Sequence, residues 1–160
     1  MLIPNNLVVL EMANNHMGNV NHGIDLINAY GKIVEKYRDT FTFCFKFQFR
    51  DLDTFIHKNS ISSDLPLVKR FQETRLSKKE FNSLFSCARK NKFMTMVTCF
   101  DNKSLESIDE YDVDFLKVAS CSFTDWPLLE DIVKKNKPII ASTASASEKD
   151  IEHVVTVFGN

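Results

Sequence analysis

At 160 residues, 44% of them hydrophobic, the chain has the size of one domain and enough apolar content for a real core, which excludes disorder. Its 20 Lys and Arg against 21 Asp and Glu leave a formal charge of −1, so no basic excess exists to hold a phosphate backbone, and nucleic acid is excluded as the expected partner. No stretch approaches the roughly 20 apolar residues of a bilayer span, and the start Met1-Leu2-Ile3-Pro4 lacks a basic region followed by a long apolar one; a soluble, cytoplasmic protein with no membrane partner is expected.

Leu7–Met12 is the first predicted strand. A helix follows from about Val20 to Tyr37, with Ile24, Ile27, Tyr30, Val34 and Tyr37 recurring at steps of three or four. Thr42–Phe47 is the second strand, and its unbroken apolar character around Lys46 suits a strand covered on both faces, as in helix-flanked parallel sheets. The long connection Phe49 to Leu76 carries Asp51, Asp53 and Pro66, a length used for lids and binding loops. Ser77-Lys78-Lys79-Glu80 reads as a capping box, opening a helix buried through Phe81, Leu84, Phe85 and Ala88.

Phe93–Val97 is the third strand, Ser104–Glu110 a short helix and Asp114–Val118 the fourth strand. Asp125-Trp126-Pro127 starts the next helix, because proline's missing N–H costs nothing in a first turn; Leu128, Leu129, Ile132 and Val133 form its inner face. Pro138–Ala141 is the fifth strand, and Ser147-Glu148-Lys149-Asp150 caps a helix expected to bury Ile151, Val154, Val155 and Phe158. Five β/α units thus fill residues 1–160 as one domain without a linker. A closed eight-unit barrel takes about 250 residues, so the alternation fits an open α/β sheet or part of a barrel. Cys44, Cys87, Cys99 and Cys121 form no Cys-x-x-Cys pair, which argues against zinc and disulfides and for four buried thiols.

Polar residues recur where these strands end: Glu11, Lys46, Gln48, Thr98, Lys117 with Ser120, and Ser142. In a parallel barrel the carboxyl ends converge on one mouth. Two ammonium groups and three hydroxyls facing one point suit a small dianion, through charge-assisted hydrogen bonds to carboxylate or phosphate oxygens. The period of two sends Lys46 and Gln48 to one face of the strand and Phe47 to the other. A bland reading stands beside each motif. Lys46 can pair internally with Glu11, with or without a ligand role; Asn14, Asn15 and His16 can tie their own loop while Gly18 supplies a turn; Asp101 can cap the next helix.

In order, Glu11-Met12-Ala13-Asn14-Asn15-His16-Met17-Gly18, Lys46-Phe47-Gln48, Thr98-Cys99-Phe100-Asp101, Leu116-Lys117-Val118-Ala119-Ser120 and Ser142-Thr143 resemble the catalytic barrel of the N-acetylneuraminate (sialic acid) synthase family. The resemblance runs from about Val8 to Val155. It implies an α/β fold of (β/α)8 TIM-barrel type of which about the first five units are present here, the C-terminal half and the family's antifreeze-like domain being absent. It implies condensation of phosphoenolpyruvate with N-acetylmannosamine or a related amino sugar, to a nonulosonic acid and phosphate. By position, Lys46, Thr98 and Lys117 would hold the phosphoenolpyruvate carboxylate, Ser120 and Ser142 its phosphate, Gln48 would face the sugar, and Glu11 would act near the reacting carbons. Glu11, Lys46 and Lys117 are the expected catalytic residues.

The family's divalent metal, Mn or Mg, would polarise the sugar aldehyde. None of the four histidines matches its ligands, so no metal site is assigned to this chain. Departures from the family pattern stand at Ala13 and Ala144, where glycine is common, at Cys99 in place of proline, and at Ser122 in place of an acid. The partners expected are the two small substrates and further copies of the chain in a homo-oligomer. Two other readings stay open: a synthase of the deoxyoctulosonate phosphate type, and a non-catalytic relative that keeps an anion pocket.

Overall fold

The computed structural model describes residues 2–144 and 146–159. Met1, Ser145 and Asn160 lie outside the described residues, and with them the last serine of the Ser142–Ser145 run and both ends of the 1–160 domain.

Twelve elements alternate along the chain, in the order β1 (Leu7–Glu11), α1 (Val20–Val34), β2 (Thr42–Phe49), α2 (Leu52–Phe55), α3 (Pro66–Glu73), α4 (Lys78–Lys90), β3 (Met94–Cys99), α5 (Asn102–Glu106), β4 (Phe115–Val118), α6 (Trp126–Lys134), β5 (Ile139–Ala141) and α7 (Glu148–Gly159). The strands form one sheet in the order β1-β2-β3-β4-β5, every neighbour parallel. Each strand therefore lies beside its predecessor, and a helical crossover returns the chain to the starting edge. The sheet curls as a half-barrel with β1 and β5 as its edges. Among the described residues no helix is long and apolar enough to cross a membrane.

The alternation on β2 separates the two faces of the sheet. Phe43, Phe45, Phe47 and Phe49 enter the main core against the helices, where Phe47 stacks on Phe85 at 4.6 Å and Phe45 meets Phe93 edge-on at 5.2 Å. Cys44, on the opposite face, packs with Met96 and Phe115 in a small second cluster. Burying one phenylalanine is worth about 1.5–3 kcal/mol, so the four on β2 make this strand the anchor of the fold. They also fix its register, because a slip of one residue would turn them all to the wrong face.

Two expected inner faces need correction. In α1 the buried residues are Gly23, Ile27, Gly31 and Val34, while Tyr30 and Tyr37 are 40% and 46% exposed. The reason is close packing on α4: a Cβ on Gly23 would stand 2.8 Å from Leu84 Cδ2, so the contact stripe runs through the glycines and leaves the tyrosines at its rim. Val155 of α7 is 63% exposed, while Val154 is buried in the core and Ile151 and Phe158 pack against it.

The cysteines also divide. Cys44 and Cys99 are buried, their thiols pushed up to about 12 by desolvation, whereas Cys87 is half-buried and Cys121 is exposed. Cys121 lies on the 3-10 turn Ser120–Ser122 after β4, whose first two residues are exposed while Ser122 is buried.

The connection from 50 to 76 holds α2, a 3-10 turn at Lys58–Ser60 and α3, and it is fastened down. Arg75 makes a two-pronged pair with Asp53 at 2.8 and 2.9 Å, Lys103 pairs with Asp51 at 2.8 Å, and the Asp51 N–H donates to Asp101 Oδ2 at 3.0 Å. The end of α3 rests on the β1–α1 turn, where a Cβ on Gly18 (φ +70) would meet the Glu73 carbonyl oxygen at 2.3 Å. Helix starts follow the sequence signals: the Ser77–Glu80 box closes reciprocally, and Asp101, Asp125 and Ser147 accept from the first turns of α5, α6 and α7.

Ala13 adopts φ 41, the left-handed region in which an L side chain crowds its own carbonyl. That conformation costs roughly 1–2 kcal/mol for a non-glycine residue, against about 0.4–1 kcal/mol of extra unfolded-chain entropy for glycine. Ala13→Gly should therefore raise stability by roughly 0.5–1 kcal/mol. A urea midpoint that stays put or falls would contradict the strain.

Candidate functional site

The parallel register assembles the strand-end residues. Glu11 lies opposite Lys46, Gln48 opposite Thr98, and Thr98 opposite Lys117. Because neighbouring strands lie about 4.8 Å apart, Gln48, Thr98 and Lys117 form one row across the sheet, with Lys46 two residues before Gln48. Lys46 and Glu11 form the internal ion pair, their side chains 16% and 38% exposed. Lys117 Nζ donates to Ser142 Oγ and to the Val118 carbonyl, each at 2.6 Å, which draws the fourth and fifth strand ends together. Ser120 is exposed at the head of its turn and is not tied to the cluster.

Charge is concentrated at this row. Desolvation, and then the nearby Lys46 ammonium, hold the Lys117 pKa below the ordinary lysine value. Two cations on one poorly hydrated face favour an anion. Thr98 is 2% exposed, and its Oγ1 is buried without a hydrogen-bond partner. A buried hydroxyl without a partner is rare enough to need a cause, and a ligand oxygen is one.

In the β1–α1 turn Asn15 and His16 tie their own loop, while Asn14 faces the neighbouring cavities. Asn15 Nδ2 donates to the Glu11 carbonyl at 3.3 Å, and His16 Nδ1 accepts from the Gly18 N–H at 3.1 Å. His16 is 2% exposed, and burial holds its pKa below 6.5, the opposing attraction of Glu80 being smaller. A histidine neutral in the fold and protonatable in the unfolded chain costs stability as pH falls below 6.5. Urea titrations at pH 7.5 and 5 should show a loss of stability that shrinks in His16→Gln; an equal loss in both proteins would count against it.

Two positions that depart from the family pattern have local explanations. Ser122 is 5% exposed, where a carboxylate would need a partner to offset desolvation. Among the described residues only Ala13, Met17, Lys92, Asn136 and Gly18 have positive φ, so Ala144 does not require glycine's backbone freedom.

Arg50 is the site residue that sequence reasoning missed. It follows β2 directly, donates from Nη2 to Gln48 Oε1 at 3.0 Å, and lies 3.7 Å over the Phe100 ring and 4.6 Å from Phe71. Its Nε is buried without a partner. The signal available was a charged residue two places beyond Gln48, on the same strand face. Gln48 and Arg50 border a half-open cavity of about 280 Å³ beneath the 50–76 connection, with Asn14 and His16 in its wall. On the concave face a second open pocket is lined by Glu11, Gln48 and Arg50, while Thr98 in the row beneath is buried. The row is identified by its chemistry.

His16 and His57 each accept a backbone N–H through Nδ1, and no three His, Cys, Asp or Glu come together as a metal would need among the described residues. The residues present therefore do not build the divalent metal site that the resemblance implies.

A parallel, curled β/α sheet of five strands, with cations and hydroxyls gathered at its carboxyl ends, places the chain in the α/β class with the architecture of part of a barrel. The chain belongs to the NeuB family, which it matches over residues 34–160. It is 30% identical over 153 residues to N,N'-diacetyllegionaminic acid synthase of Campylobacter jejuni, covering 87% of this chain and 44% of that protein. Two crystal structures superpose on it. A protein of Chromobacterium violaceum designated spore coat polysaccharide biosynthesis protein E gives a TM-score of 0.91 at 46% identity, over 95% of this chain and 45% of that one. The sialic acid synthetase of Leptospira borgpetersenii, in complex with citrate, gives 0.79 at 25% identity, over 98% and 50%. The chain spans half or less of the length of each of these relatives.

Proposed function

We propose that this chain is the first part of a (β/α)8 barrel that condenses phosphoenolpyruvate with N-acetylmannosamine or a related amino sugar, giving a nonulosonic acid and phosphate. The observation that carries the reading is Thr98 Oγ1, a buried and unpartnered donor placed between Gln48 and Lys117 in the row of strand ends. The names of the similar synthases support it.

In this reading Lys46, Thr98 and Lys117 hold the carboxylate of phosphoenolpyruvate, and Ser120 and Ser142 hold its phosphate. The ligand carboxylate competes with Glu11 for the Lys46 ammonium, which releases the Glu11 carboxylate toward the reacting carbons as acid or base. C3 of phosphoenolpyruvate attacks the aldehyde carbon of the open-chain sugar, whose oxygen takes a proton. Water adds at C2, and phosphate leaves with cleavage of the C–O bond. Gln48 orients the sugar. A divalent metal, were one bound, would supply Lewis-acid polarisation of the aldehyde, and the described residues offer no ligand set for it. Calorimetric titration of the 160-residue chain with phosphoenolpyruvate tests the proposal. Saturable binding of one ligand per chain is expected, and no binding at millimolar ligand would overturn it.

A further inference from the structure

Arg50 is a desolvated cation with no carboxylate to answer it. The nearby acids are engaged elsewhere: Asp51 Oδ2 accepts from Thr54 at 2.7 Å and pairs with Lys103, while Asp101 accepts the Asp51 N–H through Oδ2 and the Ser104 N–H through Oδ1. The aromatic rings beneath the guanidinium hold its plane fixed, as stacking on Phe faces does for arginine. One Nη2 proton goes to Gln48, the Nε–H has no partner, and the group borders the half-open cavity. The other cations in its lining are paired, Arg75 with Asp53, Lys78 with Glu110 and Lys103 with Asp51, so Arg50 is the unanswered charge there.

A preoriented, desolvated guanidinium presents a fork that matches a carboxylate or a phosphate edge-on, and it is costly to keep unpaired. We infer that Arg50 is a specificity-determining residue of the acceptor site, recognising an amino sugar that bears an anionic substituent, a carboxylate or a phosphate, seated in the cavity beside Gln48. The inference rests on the proposed reaction for the identity of the acceptor, but the cavity and its arginine can be tested without turnover. Gln48 links the two parts of the site: its amide oxygen is held by Arg50, and its backbone is in register with Thr98.

The test titrates the 160-residue chain by calorimetry with N-acetylmannosamine, N-acetylmannosamine 6-phosphate and N-acetylmannosaminuronic acid, and separately with phosphoenolpyruvate. At least one of the anionic sugars should bind about tenfold or more tightly than the neutral one, and which of them does so identifies the anion. Arg50→Gln should abolish that preference, and Arg50→Lys should recover part of it through charge without the planar fork. The phosphoenolpyruvate affinity should change little in Arg50→Lys, which separates the two halves of the site and guards against loss of folding. Equal affinity for all three sugars, no sugar binding, or a preference that survives Arg50→Gln would overturn the inference. If phosphoenolpyruvate fails to bind while an Arg50-dependent sugar preference is seen, the strand-end assignment falls and the anion-binding cavity stands.

Discussion

Lys46→Ala and Lys117→Ala should each weaken phosphoenolpyruvate binding by roughly 1.5–3 kcal/mol, the range for a hydrogen bond to a charged group. The two losses have different origins. Removing Lys117 deletes an ammonium already placed by Ser142 and Val118, leaving the half-buried Ser142 hydroxyl and a Val118 carbonyl that still accepts from the Ser142 N–H. Removing Lys46 also leaves the Glu11 carboxylate without its partner, facing the incoming anion, so it should be the costlier change. Glu11→Gln in the Lys46→Ala background should recover part of that difference. Calorimetry on folded variants reads all three, and unchanged affinity in both single variants would refute the site.

The pH dependence follows from Lys117. Its pKa lies below the ordinary lysine value because of burial and then the Lys46 charge, so the ammonium is lost earlier as pH rises. An anion favours the charged form. Affinity should therefore fall as pH climbs through that lowered pKa, sooner than an exposed lysine would allow, and this component should vanish in Lys117→Ala.

What the sequence made legible, and what it did not, follows from the range of the forces involved. The strands and caps were legible because they are local: alternating phenylalanines on β2, the Ser77–Glu80 box and the Asp125 cap each carry their own signal. The Glu11–Lys46 pair was legible because both residues end apolar strands, and a parallel register sets them side by side. The course of α1's inner face was not, because it depends on which residues of α4 it meets, and two glycines outrank two tyrosines there. Arg50 was hidden for the same reason. Its aromatic seat is built from Phe55, Phe71 and Phe100, drawn from α2, α3 and the end of β3, and no spacing rule connects them. The helical content of the 50–76 connection was also unread, since α2 has four residues and depends on the Asp51 and Asp53 ion pairs with Lys103 and Arg75 for its place.

The 160-residue chain by itself should self-associate or be poorly soluble. β1 and β5 are the edges of the sheet, and a parallel edge presents unpaired N–H and C=O groups to any chain that can add a strand. The short β5 is only half-buried throughout, although Ile139 and Ile140 would be core residues in a sheet covered on both sides. At the other edge Val9 is 38% exposed, and Ile33 and Val155 on the helical layer are 58% and 63% exposed. Apolar surface beside open hydrogen-bonding edges drives association, and in relatives about twice as long the remaining chain is available to cover it. Sedimentation at micromolar concentration should show assemblies that grow with concentration, and Ile140→Glu, which places a charge at the β5 edge, should shift them toward monomer. A compact monomer across that range would show that five strands suffice as an open sheet, and the proposal that they belong to a closed barrel would lose its physical basis.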